Sequence, residues 1–436
     1  MNHFVEQPSQ LIDDAWKRIG KPQRILLALS GGADSVALFS ALLSLSQFSE
    51  ICLACVHVDH GLRSTSQDDA QFCHLLCEKY HVPFYLKKVV LSGRGENEAR
   101  QARYLAISSV YHEWHADALA LAHHGDDQAE TVLLHLFRGC GMQGLCGIRE
   151  LSQMAVNAGT ALVLWRPLLH CTHHLLLQVA GNFSHGWCQD ETNLQDRYLR
   201  NYLRNRLLPM IEQRFPRAKQ AICRTASILQ DENALLESMV QSFIEQHVCL
   251  KPPVPWILYQ PFSALHQSLQ RRVLAHFLPA GTEYEHIEAV MSMSEGETVN
   301  VPGDMRVKHC GTYLCLYNSR VMPQPLPTLH VQRAFGRTGD GKHQQALPAH
   351  LLKKCQLRFR NDGDIIHPFG MKGTRKLQDY LTDKKVPQPM RDYLPLLCAD
   401  NRVIWVMGVG AGEEVRCAES EDTLLLTYND RLPFEM

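Results

Sequence analysis

Nowhere in the 436 residues does an apolar run approach the ~18 to 20 residues a helix needs to cross a bilayer, so no membrane span is expected. The opening residues, Met1-Asn2-His3-Phe4-Val5-Glu6-Gln7, lack both the basic start and the apolar stretch of a secretory signal, which makes a cytoplasmic protein the default expectation. A dominant charge is missing too: 44 Lys and Arg against 45 Asp and Glu leave −1, excluding a chain that is basic throughout. No repeat at solenoid spacing is visible. The 15 cysteines are odd in number and sit inside apolar segments, as reduced thiols do. Cys52 and Cys55 have the spacing of a metal pair, but they lie in a strand-like segment where residues three apart face opposite ways. What is present is a globular composition, 45% hydrophobic, long enough for two or three packed domains.

The first half alternates strand and helix patterns. Ile25 to Leu29 is an all-apolar run of buried-strand length, followed by a helical pattern from Asp34 to Leu45. Cys52 to Val58, Pro83 to Val90, Ala118 to Ala122 and Leu162 to Trp165 read as further strands. Ser66 to Tyr80, Glu96 to Trp114 and Asp126 to Arg138 read as the helices between them. Such alternation predicts right-handed crossovers and a doubly wound parallel α/β sheet covered on both faces. Ligands of these sheets collect beyond the carboxyl ends of strands where the strand order reverses. Two polar segments hold that position, Ser30 to Ser35 and His123 to Thr131, and they share one crevice if the first and fourth strands are neighbours.

The turn Ser30-Gly31-Gly32-Ala33-Asp34-Ser35 has the parts of a phosphate cradle. Adjacent glycines let backbone N–H groups approach an anion, the next helix adds its positive end, and two hydroxyls donate. The Gly-Lys-Ser/Thr ending of a Walker loop is absent. Asp34 would repel phosphate unless a divalent cation stood between them, which implies Mg²⁺. His57, His60, His123 and His124 fall at strand ends without the spacing of a closed zinc set, so hydrogen bonding to a substrate is expected of them.

Two stretches are strongly basic on this neutral background: eight Lys/Arg against two Asp/Glu from Leu194 to Arg224, and ten against four from Leu351 to Arg391. Concentrated cations of this kind point to a polyanion bound at defined places, with two solvated faces as the plainer reading. Glycines at 139, 141, 144 and 147 suggest a loop that orders on a substrate. Composition divides the chain into an N-terminal domain at 1–216, a helical middle domain at 217–320, a Pro- and Gly-rich linker at 321–347, and a smaller α+β domain at 348–436.

The Ser30–Ser35 motif resembles the pyrophosphate (PP) loop of ATP pyrophosphatases. The order of the following motifs narrows the resemblance: His57-Val58-Asp59-His60-Gly61-Leu62-Arg63, Glu98-Ala99-Arg100 with Arg103-Tyr104, His123 to Thr131, and Arg138-Gly139 with its glycines. Trp187, Asp190, Thr192-Asn193, Arg200-Asn201 and Arg204 continue it, Thr192 standing where the family often has Ser. The last domain adds Arg358-Phe359-Arg360, Gly363-Asp364, Arg375-Lys376-Leu377, Lys385-Val386-Pro387 and Arg391. Together they are similar to the isoleucine-tRNA lysidine synthetases.

The resemblance implies ATP-dependent ligation of L-lysine to C2 of the wobble cytidine of a CAU anticodon, with isoleucine tRNA as partner and ATP and Mg²⁺ as cofactors. It implies ATP binding by Ser30, Gly31, Gly32, Ala33, Asp34, Ser35, His57, Arg103 and His123, with Asp34 and Asp126 toward the metal. Asp127 and Glu130, three apart on one helix face, are the expected lysine-binding and catalytic acids, with Asp34 and Arg138 beside them in catalysis. Arg200, Arg204, Arg358, Arg360, Lys372, Arg375, Lys376, Lys384, Lys385 and Arg391 are the expected tRNA contacts. A PP-loop tRNA thiolation enzyme is the alternative, and it would want cysteines gathered at the site. An amidotransferase or an inactive RNA-binding relative gives no account of the basic clusters or of the intact Asp34. A monomer and a homodimer are both compatible with the chain.

Overall fold

Strand β1 (Arg24–Ala28) lies at the centre of a six-stranded sheet, because its apolar residues Ile25, Leu26 and Leu27 are buried on both faces. The computed structural model describes residues 8–59, 66–89, 96–157, 160–183, 185–188, 199–251, 253–318, 320, 325–334, 339–417 and 422–428. The chain forms two compact units, Met1–Ala234 and Leu235–Met436.

In the first unit α1 (Pro8–Arg18) precedes β1. The chain then alternates through α2 (Ala33–Phe48), β2 (Cys52–Asp59), α3 (Ser66–Lys79), β3 (Phe84–Lys88), α4 (Glu96–Glu113), β4 (Ala118–Ala120) and α5 (Gly125–Phe137). A short α6 (Met142–Leu145) leads to β5 (Leu151–Asn157) and β6 (Thr160–Trp165). The sheet order is β3-β2-β1-β4-β6-β5. β1 pairs in parallel with β2 and with β4, so the strand order reverses at the β1/β4 boundary, as the two polar segments required. Alternate residues divide between two cores: Ile25 and Leu27 pack with α2, while Leu26, Leu119 and Leu164 pack against Tyr104 and Ile107 of α4. Cys52 is exposed and Cys55 buried, which bears out their opposite facing.

β5 was not expected. It runs antiparallel to β6 at the sheet edge; its sequence, Leu-Ser-Gln-Met-Ala-Val-Asn, alternates too weakly to read as a strand. The glycine-rich segment is tied to α5 and to the helix that begins at Ala218. Gln128 accepts from the Ile148 N–H at 2.6 Å and donates to its carbonyl at 3.0 Å, and Gln230 donates to the Cys146 and Ile148 carbonyls. Gly147, at φ +61°, leaves room for that amide, since a Cβ there would come within 2.4 Å of Gln128 Oε1. Beyond it come α7 (His173–Asn182), α8 (Leu199–Tyr202), a π-helical turn at Leu203–Leu207, α9 (Leu208–Arg214) and α10 (Ala218–His247).

The second unit is sheet-rich. β7 (Val248–Cys249), β8 (Trp256–Leu258), β9 (Thr298–Val301), β10 (Met305–Cys310) and β11 (Tyr313–Asn318) form one sheet, accompanied by α11 (Tyr259–Ser263), α12 (Gln267–Phe277) and α13 (Tyr284–Met291). Within the segment read as a linker, β12 (Leu329–Ala334) and β13 (Gln344–Pro348) both pair with Thr423–Tyr428, so these stretches are strands. Of the basic residues of the C-terminal region, Arg358, Arg375 and Lys376 lie on strands of a further sheet, and Lys384 and Lys385 directly follow the helix Leu377–Asp383. No described helix is long and apolar enough to cross a membrane.

Candidate active site

A cavity of about 500 Å³ opens at the carboxyl ends of β1, β2 and β4, lined among others by Ser30, Gly32, Asp34, His57, Arg103 and His123. That volume is in the range of small-ligand sites. One wall is the turn from β1 into α2. Gly31 adopts φ +88°, a left-handed conformation that favours glycine, and a Cβ there would lie 3.3 Å from both Cys73 Sγ and Cys188 Sγ. Its carbonyl accepts from the Cys188 N–H at 2.9 Å. Ser30 donates to Ser35 Oγ at 3.1 Å, and Ser35 donates to the Gly32 carbonyl at 2.8 Å, so the hydroxyls brace the turn. Gly32 caps α2 without a side-chain bond, leaving the first helical amides toward the cavity. Buried His57 is bonded through Nδ1 to the Leu29 carbonyl at 2.8 Å.

Asp34 links this turn to its neighbours. His173 Nδ1 is 2.9 Å from Oδ1 and His124 Nε2 is 3.5 Å from Oδ2. Burial alone would raise the carboxyl's pKa, but hydrogen bonds to His124 and His173 outweigh it and hold the group well below the usual range. For His124, burial acts downward, and the bond to Asp34 with the charges of Asp127, Asp34 and Asp126 gives a net rise. Asp34, His124 and His173 offer ligating atoms within 4.8 Å of one another. However, His124 Nδ1 accepts the Asp126 N–H, so Nε2 of the neutral ring carries its proton and donates. The group is therefore a hydrogen-bonded network. Mg²⁺ takes one or two carboxylates plus phosphate oxygens, and the loosely held Oδ2 of Asp34 fits that demand. Asp126 does not: Lys219 Nζ is 2.7 Å from Oδ2, and the His173 N–H donates to Oδ1 at 3.1 Å.

Asp127 and Glu130 do share one face of α5, and the structure fills that face with arginine. Arg204 Nε lies 2.6 Å and Arg200 Nε 3.0 Å from the Glu130 carboxylate, while Arg204 Nη2 reaches Asp127 at 3.0 Å. Glu130 is fully buried. The two arginines expected on RNA phosphates thus meet the two acids expected on lysine. Between them the backbone passes into the π-helical turn, a distortion common at functional sites. Arg138 lies elsewhere: it caps the far end of α5, about 16 Å along the axis from Asp127 at ~1.5 Å per residue. His60 to Arg63, Asp190, Thr192 and Asn193 lie outside the described residues.

The sequence reading missed His173, Lys219 and Arg166. His173 begins α7, whose signal was available in the Thr172 N-cap, which accepts from Leu175 N–H at 3.3 Å, ahead of a helical apolar pattern.

Residues 2–211 match the PP-loop domain and residues 355–431 match the TilS substrate C-terminal domain. The chain is 30% identical to a tRNA(Ile)-lysidine synthase of Enterobacter sp. (strain 638) over 410 residues, covering 90% of this chain and 94% of that one. The chain belongs to the tRNA(Ile)-lysidine synthase family. Other synthases of that name are similar from end to end: that of Salmonella typhimurium is 29% identical over 93% of this chain and 97% of its own length. The corresponding figures for Caldanaerobacter subterraneus subsp. tengcongensis are 25% and 95% of both chains. The lysidine synthase names of these relatives and the C-terminal domain match leave the thiolation alternative less supported.

In the TilS substrate C-terminal domain the basic residues sort by what they touch. Arg358 makes a two-pronged pair with buried Asp364, at 2.7 and 2.9 Å, Arg360 pairs with Asp392, and Arg391 Nε donates to the Val386 carbonyl at 3.0 Å. These three brace the domain. Arg375 pairs with Asp383 while half exposed. Lys372, Lys376, Lys384 and Lys385 are exposed with no carboxylate partner among the described residues, Lys384 lying over the Tyr380 ring.

Proposed function

We propose that this enzyme activates the wobble cytidine of a CAU-bearing isoleucine tRNA with ATP and displaces the activated oxygen with L-lysine, giving lysidine, AMP and pyrophosphate. Cytidine O2 attacks the α-phosphorus, the bond to the β-phosphate oxygen breaks, and pyrophosphate leaves. The ε-nitrogen of lysine then attacks C2, the C2–O2 bond breaks, and AMP carries that oxygen away. At pH 7 only about one lysine in 2,500 has a free ε-amine, so binding must be joined to proton removal.

The observation that carries the reading is two chemistries side by side at the carboxyl ends of neighbouring strands: a phosphate-cradling turn after β1 and an acid pair on the helix after β4, joined through His124, whose Nε2 is 3.5 Å from both Asp34 and Asp127. The amides following Gly32 take the leaving pyrophosphate, the hydroxyls of Ser30 and Ser35 brace the turn that aims them, Asp34 would hold a Mg²⁺ to screen the charge, and Arg103 balances charge developing at the α-phosphate. Fully enclosed Glu130 aims Arg200 and Arg204, whose guanidinium groups suit the carboxylate of lysine, and Asp127 meets an ammonium group. Lys372, Lys376, Lys384 and Lys385 hold RNA phosphates, positioning the tRNA without reading its sequence. In this reading catalysis belongs to the N-terminal domain at 1–216 and tRNA grip to the C-terminal domain at 348–436, with the middle domain at 217–320 between them in sequence. The test is incubation with ATP, labelled lysine and transcribed isoleucine tRNA. Label entering the CAU transcript supports the reading; ATP turnover with unlabelled RNA overturns it.

A further inference from the structure

Arg166 directly follows β6, whose Trp165 pairs with Ala120 of β4, so it stands at the carboxyl edge of the sheet one strand beyond His123. It is 93% buried, at 7% relative exposure. Nη1 donates to the Arg149 carbonyl at 2.8 Å and to Ser152 Oγ at 2.9 Å; Nε is buried with no partner. Among the described residues no carboxylate pairs with it.

A buried charge without a counter-charge is costly, and so is a buried donor with nothing to donate to. The surroundings repeat the deficit. His123 Nδ1 is also buried and unpartnered, and its ring is close enough to Arg166, Arg200 and Arg103 to feel their charge. Arg100 and Arg103 project from α4 over the Tyr104 ring, at 5.7 and 5.4 Å, and pair with no described acid. Arg103 lines the same cavity as the PP loop. Arg103 and His123 line the cavity and Arg166 adjoins His123 just outside that lining, so unpaired donors gather on the α4 side of the crevice.

We propose that Arg166 is an anion-binding residue that holds a phosphate oxygen of a bound substrate on the α4 side of the crevice, across from the PP loop. The chemistry fits two sources, the α-phosphate of the nucleotide and a phosphodiester of the RNA next to the target cytidine. The inference rests on the ligase reading for the presence of both. The competing role is a strut, in which Arg166 only ties β5 to β6 through its two Nη1 bonds.

The test compares the full-length protein with Arg166→Met and Arg166→Lys, using a non-hydrolysable ATP analogue with Mg²⁺ and, separately, a CAU anticodon stem-loop RNA. Kd and ligand-induced thermal shift are measured for each. Arg166→Met is expected to melt, unliganded, at or above the wild-type temperature while its affinity for one probe falls ~10-fold, the worth of one charge-assisted bond. Arg166→Lys is expected to recover part of that loss. Loss confined to the nucleotide assigns the α-phosphate; loss confined to the RNA assigns the phosphodiester. Affinities within twofold of wild type for both probes, or a lower unliganded melting temperature in both variants with affinities unchanged, make Arg166 a strut and overturn the proposal. Should Arg166→Met not fold, Arg166→Lys decides by the same affinities. A wild-type protein that binds neither probe would defeat the ligase reading along with this one.

Discussion

Replacing Glu130 should unfasten the arginine pair that it holds beside α5, and a double-mutant cycle measures this. Glu130 is fully enclosed and receives three guanidinium bonds, from Arg200 Nε at 3.0 Å and from Arg204 Nε and Nη2 at 2.6 and 3.0 Å. Breaking a buried pair from one side costs ~3 to 5 kcal/mol because the other charge stays uncompensated. Both arginine side chains keep 38% of their exposure, so water recovers part of that cost. Glu130→Gln should therefore cost ~3 kcal/mol and Arg204→Met ~2, with a coupling of ~1.5 to 2 kcal/mol in the double mutant. Urea unfolding of the four proteins gives the stabilities, and steady-state kinetics should show a raised KM for lysine with the KM for ATP unmoved. A coupling under ~0.5 kcal/mol, or a KM change confined to ATP, would refute the role given to Glu130.

Other expectations follow from single features of the site. Asp34→Asn should abolish adenylyl transfer while tRNA affinity, measured by filter binding, stays within about threefold; joint loss would make Asp34 a structural residue. Removing Lys372 and Lys376 together should weaken tRNA binding and flatten the log Kd against log salt slope by ~1 to 2, whereas Arg358→Ala should act chiefly on stability through Asp364. His123 titrates at about 4 in the fold, pushed down by burial and by Arg166, Arg200 and Arg103 against the pull of Asp127. The unfolded chain, with its histidine near 6.5, takes up that proton first. The contribution of neutral His123 is thus whole above pH ~6.5 and is lost as pH falls toward 4, by ~2 to 3 kcal/mol. His123→Gln should remove that part of the pH slope in urea unfolding.

Much of this site is local in sequence, and that part was legible. The β1 run, its glycine turn and the polar segment after β4 each announce themselves within ten residues, and the strand-helix alternation predicts a parallel sheet, whereas the β1/β4 adjacency was a condition that only the fold meets. What was hidden is long-range. Arg200 and Arg204 read as tRNA contacts on a basic helix, and only a fold that brings them back 70 residues to Glu130 reveals them as partners of a buried acid. Asp126 read as a metal candidate because Lys219 and the His173 amide, which occupy its oxygens, lie far along the chain. Arg358 and Arg360 read as tRNA contacts because Asp364 and Asp392, which neutralise them, are paired with them only in the fold.

The central claim, that the RNA base itself is activated before lysine arrives, is tested most directly with lysine withheld. The protein is incubated with ATP labelled at the α-phosphate and the CAU transcript, and the RNA is then isolated and counted. The account predicts label on the RNA that lysine chases off as AMP, and none on a transcript whose wobble base is not cytidine. Unlabelled RNA, with the label instead found on lysine as an aminoacyl adenylate, would contradict it.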